Sequence, residues 1–417
     1  MVGIAKKTIF DIIHRIMQTE LELKAPEVVP LGEAFHTYYD PNGYFEGDDI
    51  ALVGWLYEKR HGIPVVVEVP EGERVLTVRE QLAFEMSCRM ELTEQNAASW
   101  VGLGLTEDEL KNVVGIAEHN ARQTALLVKE TVMQLRELPE VRERIQKLEQ
   151  DGEAEGLDAL LAGAVVAALG HYGQKRMNDV EFVTHPVSVT TILTMAMRKI
   201  KGYVQKIGAL RFHLAQYETL THDVDEDSIP DDTDTVGTSF WNARTFRTYP
   251  LLHKRVLEAV DVQSDLADET AQHIRALTKP AGHAVSVTIV GTNQEKIKTR
   301  MQNKTYMKQV GRWALTKLVK LADMHHNRNL DQKERPIQDA MKSAIWQSNQ
   351  NEYDGNIAGI VEQLVVEGDT DNSAVGKAVL SFSTEQLIKY RSKRLLGILT
   401  TQMVFDAKQR AQSRLAA

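Results

Sequence analysis

Four short stretches of this chain hold residue types that together could run phosphate chemistry. They are His171 to Arg176, Thr184 to Pro186, His222 to Asp227, and Leu321 to Asn327. Between them they supply imidazoles, carboxylates, an amide and a permanently charged guanidinium. Such a set can hold a divalent ion, acidify a water and grip a phosphate. Coordination can lower the pKa of a water from ~15.7 to about 7, and a nearby carboxylate can then take the proton.

The spacing says how these groups must be carried. His185 directly precedes Pro186, and proline suits the first position of a helix. The apolar run Val187, Val189, Ile192, Leu193, Met195 and Ala196 then reads as a buried helix, so His185 is expected at a rigid helix entrance. His222 and Asp223 are adjacent, and Glu226 and Asp227 each follow four residues later. That spacing stacks two pairs on one helical face, one able to ligate while the other positions water. Asp323 and Asn327 repeat it. Two imidazoles and two carboxylates suit Mn, Fe or Zn better than Ca or Mg.

Composition narrows the alternatives. The chain has 417 residues, 43% apolar and 26% charged, which fits an ordinary soluble globular protein of two or three domains. A net charge of −9 argues against general nucleic-acid or anionic-membrane binding, since either favours a basic face. It also makes a phosphate substrate awkward unless a cation sits in the acidic pocket. Cys88 is the single cysteine, so no intramolecular disulfide can form, and a reducing compartment is implied. The first twenty residues read as an amphipathic helix without a signal-peptide core, and no stretch approaches the roughly 20 apolar residues that span a bilayer. The expectation is a soluble, cytoplasmic protein.

Residues 1–150 read as mixed α/β followed by long helices. Ile63 to Val78 suggests a hairpin turning at Glu71-Gly72. Thr106 with Glu109 forms a capping-box signature opening a helix that runs to Leu138, where Pro139 stops it. The charge-dense stretch Glu140 to Glu155 ends in a glycine-flanked acidic segment and marks a boundary. From Leu157 the pattern is helix after helix, giving a catalytic unit over 157–335 and a helical extension over 336–417. Ser383 with Gln386 caps the last amphipathic helix. His171, His325 and His326 are read as structural, and Lys279 is among the basic residues that could attract phosphate.

With these motifs in view, residues 157–332 resemble the HD-domain hydrolase module of the RelA/SpoT family and its small stand-alone hydrolases, including the metazoan SpoT homologues. The family's H-x-G-Q-x-R followed by T-H-P is met by His171, Gly173, Gln174, Arg176 and His185. Its L-H-D-V-x-E-D-T block is similar to Thr221 to Ser228, and its V-K-L-A-D-R-x-H-N block, followed closely by an arginine, to Val319 to Arg328. A weaker T-K element matches Thr278-Lys279. The resemblance implies a mostly α fold, an HD-type helical bundle. It implies metal ligation by His185, His222, Asp223 and Asp323, and water activation by Glu226 and Asp227. Arg176, Asn327 and Lys279 would contact a nucleotide substrate, with Mn²⁺ as cofactor and Fe or Zn as alternatives. The implied reaction removes pyrophosphate from the 3′ position of the alarmone (p)ppGpp.

The chain departs from the family after Arg176, where a basic-Ser-Gly stretch is replaced by Met177 to Phe182 with acids at Asp179 and Glu181. That change favours a first alternative, the same chemistry on NADPH or another phosphorylated nucleotide. A second alternative is a non-enzymatic binding or assembly protein, with homo-oligomers built through the N- or C-terminal helices. The 100 residues from Asp223 to Asp323 exceed the spacing in compact members of the family, so Asp231 to Asp261, with Trp241, Arg244 and Arg247 in it, is read as an insertion that could cover the pocket. Nothing after residue 332 resembles an alarmone synthetase.

Overall fold

The computed structural model describes residues 66–69, 72–75, 80, 83–84, 87, 106–171, 176, 182–224, 250–278, 283–288, 295–300, 303–330, 350–366 and 368–391. The fold is mostly α-helical. A short antiparallel pair, β1 (Val66–Val69) and β2 (Gly72–Val75), lies at the expected hairpin, with Val66 opposite Val75. The second pair is β3 (His283–Thr288) with β4 (Glu295–Arg300), His283 facing Arg300.

The first long helix, α1 (Glu107–Arg136), begins at the capping box: Glu109 N–H donates to Thr106 Oγ1, and Thr106 N–H donates to Glu109. Its buried residues Leu110, Val113, Ala117, Ala121, Ala125, Val128, Val132 and Leu135 recur at three- and four-residue steps, one apolar stripe. The helix stops at Arg136, and Pro139 then serves as the first residue of α2 (Pro139–Gln150). Proline thus acts here as a starter as well as a stop.

Next comes α3 (Leu157–Gly170), apolar on every side and buried along almost its whole length. It therefore belongs at the centre. Gly156 precedes it at φ 76°, and a Cβ there would stand 2.7 Å from Leu210 Cδ1, so both backbone and space demand glycine. The chain continues through α4 (Thr184–Lys199), α5 (Tyr203–Ile207), α6 (Ala209–Thr221), α7 (Pro250–Ala259) and α8 (Ser264–Leu277). After the β3–β4 pair come α9 (Asn303–Val310), α10 (Ala314–His325) with a π-helical turn over His326–Leu330, α11 (Gln350–Val366), α12 (Thr370–Leu380) and α13 (Thr384–Arg391).

Two apolar cores organise these helices. One joins α1, α2, α3, α7 and α8 with Leu214, Tyr217 and Leu220 of α6. The other joins α4, α10, α11, α12 and α13 with Phe212 and Ala215 from α6. Helix α6 therefore lies between them, and α4 also serves both, through Val187 on one side and Ile192 on the other. Gly163 lets α3 approach α6 closely, since a Cβ there would meet Tyr217 Cα at 3.1 Å.

Packing does not break at the acidic segment 151–156. Val128, Val141 and Leu148 share a core with Leu161 and Leu220, and Arg136 Nη1 donates to Asp158 at 2.6 and 2.8 Å. The expected insertion likewise proves partly core: Leu252, Val256 and Leu257 of α7 are buried, and Arg255 donates to Glu118 of α1 through Nε and Nη2. The remainder of that stretch, 231–249, lies outside the described residues. Ser383 and Gln386 cap α13 reciprocally, at 3.0 and 3.3 Å. No helix among the described residues is long and apolar enough to cross a membrane.

Candidate metal centre

His185 enters from the first turn of α4. The helix starts at Thr184, so Pro186 is its third residue rather than its first. Proline is tolerated there because the first four N–H groups of a helix have no intrahelical partner. His222 and Asp223 follow the end of α6, and Asp323 lies near the end of α10. The helix ends that carry them meet where the two cores adjoin.

One ligand atom from each of His185, His222, Asp223 and Asp323 falls within 4.8 Å of every other. His185 Nε2 is 3.1 Å from both Asp223 Oδ2 and Asp323 Oδ1. His222 Nε2 is 3.1 Å from Asp223 Oδ2 and 3.7 Å from Asp323 Oδ1. His185, His222 and Asp323 are buried, and Asp223 is partly so. Both Nε2 atoms are sealed from solvent and face the two carboxylates. Burial of such nitrogens is costly unless something accepts their lone pairs.

The other nitrogens are committed elsewhere. His222 Nδ1–H donates to the Thr219 carbonyl at 2.9 Å, which turns Nε2 toward the carboxylates. His185 Nδ1 lies 2.9 Å from His326 Nδ1. Burial works against ionisation of both carboxylates. It is overcome at Asp223 by His222 and by hydrogen bonds from both imidazoles, and at Asp323 by Lys320 and the same imidazoles, so both sit well below the usual carboxylate range. Burial opposes charge on His222 too, yet the Asp223 carboxylate prevails and raises it to about 10. The cluster demands positive charge where the ring nitrogens converge. Two neutral imidazoles and two carboxylates fit a borderline divalent ion, whose charge the aspartates cancel.

Around this set runs a second layer. Asp323 Oδ1 accepts from Asn327 Nδ2 at 2.7 Å, and Asn327 Oδ1 accepts from Arg176 Nη2 at 2.7 Å. Lys320 Nζ pairs with Asp323 Oδ2 at 2.7 Å and lies 5.4 Å from the Tyr306 ring. Asn327 thus supports the Asp323 carboxylate, and the guanidinium of Arg176 is tied to the same chain. Arg176 also lies over the Phe182 ring at 5.5 Å; that ring stacks on His171 at 4.5 Å and meets His185 edge-on at 5.9 Å. The altered loop therefore keeps an aromatic wedge at its end.

Glu226, Asp227 and Lys279 lie outside the described residues. His171 caps α3 and is buried. His325 Nε2 bonds the Phe382 carbonyl at 3.0 Å, a structural role as expected. His326 Nδ1 instead contacts His185 Nδ1 of the cluster. Its signal in the sequence was its position three residues after Asp323, which puts both on one helical side. Lys320, three residues before Asp323, carried the same signal.

No protein-family model, no curated protein and no solved structure matches the chain, so the centre is read from its own chemistry.

Proposed function

We propose that this protein is an HD-type phosphohydrolase that holds one divalent ion, Mn²⁺ with Fe or Zn as alternatives, on His185, His222, Asp223 and Asp323. The preferred substrate is (p)ppGpp, cleaved at its 3′-pyrophosphate. The observation that carries this reading is the convergence of two buried imidazole nitrogens on two ionised carboxylates within 4.8 Å.

A divalent ion bound there would supply Lewis acidity, for acidifying a water and drawing off phosphate charge. The residues do the rest. Thr219 holds the His222 ring so that Nε2 faces the cluster. Asn327 and Lys320 hold the Asp323 carboxylate from both oxygens. Glu226 and Asp227, three and four residues after Asp223 in sequence, are assigned the orienting of the attacking water and the taking of its proton. Arg176, anchored by Asn327, sets a guanidinium beside the ligands, suited to a phosphate or to stacking on a base. Lys279 is assigned to the same anion from its place in the sequence alone.

Asp179 and Glu181 favour a second reading, in which the substrate is NADPH or another less densely charged nucleotide. Turnover by the Mn²⁺-loaded protein on ppGpp, pppGpp, NADPH and common nucleotides separates the readings, with products resolved by chromatography. Pyrophosphate with GDP or GTP supports the alarmone reading, and phosphate from NADPH moves the protein to the second. No product from any of them, in a metal-loaded sample, contradicts hydrolysis and favours a binding or assembly role.

A further inference from the structure

We propose that His326 is a positioning residue that fixes which nitrogen His185 offers to the ion, an inference that rests on the metal-centre reading above. His185 Nδ1 and His326 Nδ1 stand 2.9 Å apart, with ring centroids at 4.9 Å. Two imidazole nitrogens at that separation share one proton, one donating and one accepting. A neutral His185 that gives its Nε2 lone pair to a cation must carry its proton on Nδ1. So His185 Nδ1–H donates, His326 Nδ1 accepts, and the proton of His326 sits on Nε2.

The Thr219 carbonyl performs the same service for His222. Ligating histidines commonly donate their second N–H to an oxygen that fixes ring and tautomer. Here the acceptor is an imidazole, and charge explains the choice. A carboxylate in that place would add a third negative group beside Asp223 and Asp323, whereas a neutral ring adds none. The geometry also depends on where His326 lies. It opens the π-helical turn His326–Leu330, one residue after His325 turns away to the Phe382 carbonyl. Wide turns of this kind re-aim side chains at functional sites.

The test is Mn²⁺ affinity of the full chain as wild type, His326→Phe and His326→Asn. Phenylalanine keeps a ring but removes the acceptor; asparagine restores an acceptor oxygen close to the place of Nδ1. We expect His326→Phe to weaken Mn²⁺ binding by ~10–100-fold, the usual effect of removing such a partner, and His326→Asn to recover most of the loss. Melting in EDTA checks that both variants fold. Nitrogen-15 NMR of the metal-free wild type should show a proton on His185 Nδ1 and none on His326 Nδ1. The inference is overturned if folded His326→Phe binds as wild type does, if both variants are equally impaired, or if His185 Nδ1 is bare. A wild-type chain that binds no Mn²⁺ contradicts the metal reading instead, and the NMR result still decides the role of His326.

Discussion

Replacing Asp323 separates what the carboxylate does for folding from what it does for the ion. Its Oδ2 pairs with Lys320 at 2.7 Å, and Oδ1 accepts from Asn327 at 2.7 Å while facing His185 Nε2 at 3.1 Å. Asp323→Ala removes all three contacts and leaves an ammonium group on a residue only 4% exposed without its carboxylate. Breaking a buried pair from one side costs ~3–5 kcal/mol. The Tyr306 ring, 5.4 Å from Nζ, keeps some hold on the charge. The lower end, about 3 kcal/mol, is therefore expected. Lys320→Met in the same chain removes the stranded charge and should return most of that loss. Neither variant should respond to Mn²⁺, whereas wild type at a hundredfold excess over Kd gains about 2.7 kcal/mol. Urea denaturation of the three proteins, with and without Mn²⁺, gives every number. The reasoning is refuted if Asp323→Ala is stabilised by Mn²⁺ as wild type is, or if the double variant is no more stable than the single one.

Three further outcomes follow from the same structure. Glu226→Ala should keep Mn²⁺ but lose ~10²–10⁴-fold in turnover, as for a general base; near-wild-type rates would remove Glu226 from proton handling. Gly170→Ala would set a Cβ 2.3 Å from Val224 Cγ1, one residue after the ligand Asp223. Thermal melts should show a loss of roughly 1–3 kcal/mol from overpacking, with weaker Mn²⁺ binding, and unchanged values of both would count against this packing. The buried pair of Glu218 and His273, joined at 2.8 Å, should set a pH slope. Burial raises Glu218 against the pull of His273; His273 is raised despite burial, by the Glu218 carboxylate. Both shifts are upward, so the folded chain keeps protons that the unfolded chain sheds above the ordinary values of 4.5 for the glutamate and 6.5 for the imidazole. Stability should then fall as pH rises past each of those values, by at most ~1.4 kcal/mol per unit for each group, until that group's raised folded value is passed. Glu218→Gln should flatten that slope in urea titrations, and an unaltered slope would exclude the pair as its source.

The residues that converge were legible because motif chemistry survives in linear order. His222 beside Asp223, His185 before a proline, and Asp323 four residues before Asn327 could be read without a fold. Thr106 and Ser383 announced their helices through side chains that satisfy backbone donors locally. What escaped depends on distant packing. The start of α4 at Thr184 follows from how its first turn docks, which no cap residue signals. Helix α7 fell within the stretch read as an insertion because Asp223 and Asp323 stand 100 residues apart in sequence, although Leu252, Val256 and Leu257 fill the first core. The continuity of that core across 151–156 rests on contacts between α1, α2 and α3 that charge density conceals. His326 escaped because its role requires His185, 141 positions away, to reach its ring.

The central claim is that four side chains hold one divalent ion, and Mn²⁺ titration followed by electron paramagnetic resonance tests it most directly. The account predicts one tight site per chain, nitrogen couplings from two imidazoles, and loss of that site in both His222→Ala and Asp323→Ala. Absence of tight binding in the folded wild type, or a site that survives both substitutions, would contradict it.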